Sequence, residues 1–140
     1  MRMVLFSHGL VPTRFLIILS HLSIAVLILW SRDQNVKSCL SLDYTDEEYL
    51  LQDKELVIGL SIALGLLGFE LLGFLSGVTM FVPLTAMISI ACHGSASILL
   101  TYFVLDEWDC HLYWWLFTFC SVLPAVTEAV TILRSLFLKN

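Results

Sequence analysis

Charged side chains are scarce in this sequence. Of its 140 residues only 14% are Asp, Glu, Lys or Arg, whereas 59% are hydrophobic and the mean hydropathy is +0.90. Soluble domains carry about 25% charged residues, and a chain this short has too much surface for its volume to hide so many apolar side chains from water. The sequence therefore predicts a membrane protein whose apolar residues face lipid, organised as a single domain over residues 1–140.

Patterns that would indicate other functions are also missing. The seven Lys and Arg residues are scattered, so the chain lacks the basic patch of a nucleic-acid-binding protein. It contains no C-x-x-C, H-E-x-x-H or G-x-S-x-G, the usual spacings of thiol–disulfide catalysts, zinc proteases and serine hydrolases. We expect a protein that is not an enzyme and that has no cofactor, no metal and no nucleic-acid partner.

Four apolar stretches are long enough for helices that cross a bilayer, which takes about 20 residues. Pro12 and Pro83 suit the first turns of two of them, where the missing N–H costs nothing. Ser76–Gly77 and Pro83 interrupt a run without any charge and predict a tight helical hairpin. The fold class is therefore all-α, a bundle of four transmembrane helices over residues 12–31, 56–77, 83–105 and 112–133.

The polar residues lie mainly in the loops 32–55 and 106–111. Residues 45–48, Thr-Asp-Glu-Glu, have the form of a capping box and predict a short interfacial helix that starts at Asp46 and runs into the second span. Basic residues near span ends favour the cytoplasm. Four basic residues lie near the termini: Arg2, Arg14, Arg134 and Lys139. Three lie in the long loop: Arg32, Lys37 and Lys54. This excess predicts cytoplasmic termini and two non-cytoplasmic loops.

The four cysteines divide between spans and loops. Cys92 and Cys120 fall inside spans and are expected to pack as small apolar residues. Cys39 and Cys110 fall in the two non-cytoplasmic loops, where conditions are oxidising. A disulfide between them is permitted, but two free thiols are equally compatible with the sequence, since Cβ positions decide the matter.

Three ionisable residues interrupt the apolar spans: Glu70, His93 and Glu128. A carboxylate at mid-membrane costs about 2.5–3.5 kcal/mol, so Glu70 should point into a seam between helices. Gly73 and Gly77 follow it at i+3 and i+7 as a G-x-x-x-G, a pattern that lets helices approach closely. The three ionisable residues are expected to form interhelical polar contacts, with burial favouring a neutral Glu70.

A sharper interpretation treats the same residues as a site. Two carboxylates and one imidazole, from Glu70, Glu128 and His93, would bind a metal or carry protons, and His21 on the first span would add a ligand. One histidine and two glutamates from three helices are a weak metal pattern. The structural role is the preferred hypothesis, and the site remains the alternative.

Four segments resemble the transmembrane protein 107 family: Gly9-Leu-Val-Pro-Thr-Arg-Phe15, Trp30-Ser-Arg-Asp33, Gly73-Phe-Leu-Ser-Gly-Val78 and Leu123-Pro-Ala-Val-Thr-Glu128. The resemblance extends from about Gly9 to Leu133. None of these motifs is catalytic, so the resemblance supplies no catalytic or cofactor-binding residue.

The resemblance implies a four-pass protein of the ciliary transition zone, at the base of the cilium, with cytoplasmic termini. It implies a scaffold of the Meckel-syndrome module that recruits and retains other transition-zone membrane proteins and so controls ciliary membrane composition during cilium assembly. Two alternatives stay open. One is an intramembrane metal- or proton-dependent enzyme or carrier that uses Glu70, His93 and Glu128, and the other is an accessory subunit of a channel or receptor.

Overall fold

Helices account for most of the chain in the computed structural model, which describes residues 2–140, with side chains from His8 onward. No strand occurs among these residues. The predicted all-α membrane fold is confirmed, because four helical stretches are long and apolar enough to cross a bilayer. The helices are α1 (Arg2–Trp30), α2 (Arg32–Ser38), α3 (Asp46–Leu75), α4 (Pro83–Leu105), α5 (Cys110–Phe117) and α6 (Leu123–Lys139).

Local sequence signals explain two of the helix starts. The Thr45 hydroxyl accepts the N–H of Glu48, whose carboxylate accepts the N–H of Thr45 at 2.8 Å. This capping box starts α3 at Asp46, and the interfacial helix is simply its first turns. Pro83 occupies the first turn of α4. The start expected at Pro12 is wrong, because α1 begins upstream and Pro12 lies inside it.

A π-helical segment, Thr118–Val122, joins α5 to α6 within one continuous span. Pro124 has no N–H to donate to the carbonyl one turn earlier, and a wider turn at this place is a usual accommodation of such a defect. Cys120 and Ser121 in this segment are buried. The segment therefore sets the face that α6 turns toward its neighbours.

The spanning helices expose large apolar side chains while the bundle buries several polar and charged ones. Large apolar side chains are exposed on every spanning helix, including Leu27, Leu72, Ile98 and Val130. Several of the most deeply buried side chains are polar or charged. A water-soluble protein has the opposite arrangement, so lipid is the surrounding that this surface fits.

Helices α3 and α4 lie between α1 and α6, since each of them packs against both. The half of the bundle near α2 and the α4–α5 loop has an apolar core around Ile28, Leu60, Phe103 and Tyr113. The opposite half, near the chain termini and the α3–α4 turn, is held by polar side chains. The two halves thus use different interactions to pack the same four helices.

Helix α2 is fastened to the first turns of α3. The guanidinium of Arg32 donates to Asp53 at 2.6 Å, and the hydroxyl of Tyr49 donates to Asp33 at 2.6 Å. Hydrogen bonds from Lys37 and Tyr49 hold the pKa of Asp33 below its ordinary value. The part of the long loop that forms α2 is therefore ordered and packs on this end of the bundle.

A disulfide joins Cys39, just after α2, to Cys110 at the start of α5, with Cα atoms 5.7 Å apart. The two cysteines are 71 positions apart in the chain. The bond ties the first loop, between spans one and two, to the third loop, between spans three and four. Cys92 and Cys120 are free.

We predict that Cys39→Ser unfolds more easily than the wild type, by about 2–4 kcal/mol, because the cross-link restricts the unfolded chain. Thiol titration of the denatured, unreduced protein should count two reactive thiols in the wild type and three in Cys39→Ser. Cys92→Ala is the control and should leave the cross-link intact. Four reactive thiols in the unreduced wild type would contradict the bond.

Candidate functional site: a buried polar cluster joining four spans

The four spanning segments each contribute an ionisable side chain to one buried cluster in the half of the bundle near the termini. Arg14 comes from α1, Glu70 from α3, His93 from α4 and Glu128 from α6. Each is at most 1% exposed. The structure thus brings together the three residues singled out in the sequence and adds a cation to them.

Arg14 is the centre of the cluster. Its Nη2 donates to Glu128 Oε2 at 2.7 Å and to Glu70 Oε1 at 3.3 Å. Its Nη1 donates to the Thr79 carbonyl at 3.1 Å, and the guanidinium lies over the Phe74 ring at 5.3 Å. Arg14 Nε is the one buried side-chain nitrogen or oxygen left unpaired among the described side chains. One side chain of α1 therefore reaches both α3 and α6.

Glu70 accepts three hydrogen-bond donors from two neighbouring helices. Besides Arg14, the Ser89 hydroxyl donates to its Oε1, and Nε2 of His93 lies 2.6 Å from its Oε2. Three donors on one carboxyl group suit the ionised form. The sequence-based expectation of a neutral Glu70 considered burial alone and did not include Arg14.

A second histidine extends the cluster toward the middle of the membrane. Nδ1 of His21 lies 2.7 Å from Nδ1 of His93, so one nitrogen donates and the other accepts. With both rings neutral, the hydrogen of His93 is on Nε2, facing Glu70. His21 must then donate. His21 thus joins the cluster as a partner of His93 and does not contact either carboxylate within hydrogen-bond distance.

Glu128 is held from two sides. The Thr79 hydroxyl, in the α3–α4 turn, donates to Oε1 at 2.5 Å, while Arg14 donates to Oε2. Gly73 of α3 packs directly on this carboxylate, and a Cβ at position 73 would overlap Glu128 Oε1 and meet Ile132 at 3.3 Å. A glycine at 73 is therefore what allows α6 to place Glu128 next to Arg14.

Gly77 has a different role from the one its spacing suggested, so the helix-packing prediction for this residue is wrong. Helix α3 ends at Leu75. Gly77 lies in the following turn with φ of +83°, and a Cβ there would meet nothing within 4 Å. Positive φ is readily adopted only by glycine. Gly77 therefore allows the chain to reverse toward Thr79 and does not pack two helices together.

The charges of the cluster do not balance without a bound proton. Arg14 contributes one positive charge, and ionised Glu70 and Glu128 contribute two negative charges. One further proton on the cluster would make it neutral. Because the groups are joined by hydrogen bonds, that proton belongs to the cluster as a unit rather than to one residue.

The cluster is filled by its own side chains. The described residues contain no group of three or more His, Cys, Asp or Glu side chains arranged to hold a metal ion. The space between the two carboxylates is filled by Arg14. The adjoining cavity, lined by His21 and Ser121 among others, has a volume of about 10 Å³, which is room for one water molecule at most.

The sequence reasoning missed Arg14 because it was counted only as a basic residue at a span end. A signal was present. Buried residues of α1 recur at intervals of four and three, the spacing of one helix face. Extending that face back from His21 through Ile18 reaches Arg14: the residues are Arg14, Ile18, His21, Ala25 and Ile28.

The family model "TMEM107: Transmembrane protein" matches residues 10–132. The chain belongs to the transmembrane protein 107 family. It is 50% identical to transmembrane protein 107 of Homo sapiens and of Mus musculus over 132 residues, 94% of this chain and 94% of each relative. It is 47% identical to that of Danio rerio over 125 residues, 89% of this chain and 93% of the relative. No solved structure matches the chain.

The part of the chain matched by the transmembrane protein 107 family model contains every residue of the cluster. It also contains both cysteines of the disulfide. This member of the family is therefore a membrane protein with four helices long and apolar enough to span a bilayer.

We predict that Arg14→Gln destabilises the protein by about 3–5 kcal/mol, because it leaves two buried carboxyl groups without their cation. The free energy of unfolding in detergent micelles is the measurement. Arg134→Gln, an equal charge change at an exposed site, should stay within about 0.5 kcal/mol of wild type.

The double variant Arg14→Gln/Glu128→Gln should recover part of the loss, because no unpaired charge then remains at Glu128. Simple addition of the two single effects would contradict a direct Arg14–Glu128 interaction.

We also predict that Gly73→Ala lowers stability by about 1–3 kcal/mol through overlap with Glu128. Gly65→Ala on the same helix meets nothing within 4 Å and should be neutral or slightly stabilising. Equal effects of the two substitutions would show that Gly73 has no special packing role.

Proposed function

We propose that this protein is a non-enzymatic scaffold of the ciliary transition zone. In this role it recruits and retains other membrane proteins of the Meckel-syndrome module at the cilium base. It thereby controls which membrane proteins enter the growing cilium. The proposal rests on membership of the transmembrane protein 107 family, across nearly the whole chain.

The cluster supports a scaffold over an enzyme. Its ionisable groups contact one another, they are buried, and the cavity beside them is too small for a substrate. Polar contacts of this kind hold helices in register. A rigid bundle is what a scaffold needs in order to present a constant lateral surface. The enzyme or carrier alternative would need access to Glu70, His93 and Glu128 from outside.

Charge supports cytoplasmic termini. The loops 32–55 and 106–111 together carry ten acids and three basic residues, a formal charge of −7. The opposite end carries Arg2, Arg134 and Lys139 and no acid outside the cluster; the side chain of Arg2 is outside the described part. Positive charge favours the cytoplasmic side, and the disulfide between the loops requires an oxidising compartment.

One exposed face of α3 suits a partner helix. Ser61 and Gly65 are both exposed and lie four residues apart, and nothing lies within 4 Å of a Cβ at Gly65. Small residues at this spacing let two transmembrane helices approach closely. We propose this face as a contact for the recruited proteins.

We predict that a tagged copy forms a ring at the cilium base and co-purifies with other transition-zone membrane proteins. Gly65→Leu should lose those partners while keeping wild-type stability, since it adds bulk only outside the bundle. Gly9→Leu, the same change at an exposed α1 position with nothing within 4 Å, is the matched control and should keep them.

Normal ciliary membrane composition in cells that lack the protein would contradict the scaffold role. The variant Glu70→Gln distinguishes the enzyme alternative from the scaffold. That alternative requires loss of function while folding, localisation and partner binding stay intact, whereas the scaffold predicts that any loss of function accompanies loss of stability or partners.

A further inference from the structure

An open groove lies between the start of α4 and the end of α6, at the terminal end of the bundle. Its volume is about 330 Å³. The α6 side presents Arg134, the hydroxyls of Thr131 and Ser135, and the apolar side chain of Leu138. The opposite side, at the start of α4, presents mainly apolar side chains that include Val82 and Leu84. The groove thus places a positive charge next to hydrocarbon, which is the arrangement that a phospholipid would complement.

Arg134 is not used by the protein itself. It forms no salt bridge in the described part of the chain, and it is exposed. The sequence contains no acid in residues 1–31, 76–82 or 129–140 that would neutralise it at this end. Its guanidinium is therefore free to pair with an external anion, and the planar fork of arginine matches a phosphate group well.

The two hydroxyl groups of α6 in the groove differ in whether they form hydrogen bonds within the protein. Thr131 donates to the Thr127 carbonyl at 2.8 Å and accepts from Thr85 at 2.8 Å. Ser135, one turn further along α6 on the same face, forms no such bond among the described side chains and is available as a second donor beside Arg134. Two donors at adjacent positions can hold two oxygens of one phosphate.

The position of the groove along the bilayer normal indicates which kind of ligand it can contact. Arg134 lies 24 residues after Cys110, which is about 36 Å along a helix, more than the roughly 30 Å of a hydrocarbon core. Leu84 and Thr85 lie at the very start of α4. The groove therefore lies at the boundary between headgroups and acyl chains, so that its apolar wall faces lipid tails and Arg134 faces headgroups.

We propose that this groove binds an anionic phospholipid of the leaflet on the side of the termini. The lipid phosphate pairs with Arg134 and Ser135, and an acyl chain lies along Val82 and Leu138. The positive charge of this end and the absence of an exposed acid favour an anionic over a zwitterionic headgroup. The proposal does not depend on the scaffold function.

The test uses the full chain in phosphatidylcholine nanodiscs that contain a minor fraction of photoactivatable phosphatidylglycerol or, separately, photoactivatable phosphatidylcholine. Labelled peptides are then mapped by mass spectrometry. Peptides that line the α4–α6 groove should be labelled about fivefold more by phosphatidylglycerol, the effect of one basic residue near a charged surface. Equal labelling by both lipids would overturn the proposal.

Matched variants locate the interaction. Arg134→Gln should lower the phosphatidylglycerol preference to that of phosphatidylcholine, whereas Lys139→Gln, with the same charge change outside the groove, should leave it unchanged. A second groove, lined by Leu27, Ser31 and Thr101 among others, has a volume of about 160 Å³ and no charged residue. It should show no headgroup preference.

Two further outcomes would contradict the proposal. Equal loss in Arg134→Gln and Lys139→Gln would indicate general attraction to a charged surface. Full competition by glycerol phosphate in solution would indicate a site for a free phosphate ester rather than for a lipid. If Arg134→Gln instead changed the oligomeric state, with no change in lipid labelling, the groove would be an interface between copies of this chain.

Discussion

The structure depends on the pairing of one buried guanidinium with two buried carboxylates. Arg14, Glu70 and Glu128 come from three helices that are distant in the chain, and each would be costly to insert into lipid alone. Paired, they satisfy one another in a place that water does not reach. The helices are thus held in the one arrangement in which these charges meet.

This interaction matters more in a membrane than it would in water. Apolar side chains gain little by leaving lipid for a helix interface, because both surroundings are hydrocarbon. Packing, polar contacts and close approach through small residues must supply the specificity. The cluster provides the polar contacts, and Gly73 provides the close approach by leaving space for the Glu128 carboxylate.

The two ends of the molecule have contrasting chemistry that follows from the same topology. The loop end is acidic, cross-linked by a disulfide and covered by α2. The terminal end is basic outside the cluster and is open along α4 and α6. Between them the exposed large side chains are mainly apolar. A protein with these three zones can fix its depth in a bilayer while offering lateral surfaces to other membrane components.

The sequence by itself determined the all-α membrane fold, because apolar stretches of this length have few alternatives in lipid. It also determined the capping box at Thr45 and marked Glu70, His93 and Glu128 as unusual, since a local pattern or the cost of a single group decides each of these features. Only the tertiary structure decided that Arg14 joins them, that His21 bonds to His93 and that Gly77 serves only the predicted turn and does not pack two helices together. Those features depend on where helices end and how they rotate against one another, and residues far apart in the chain decide both.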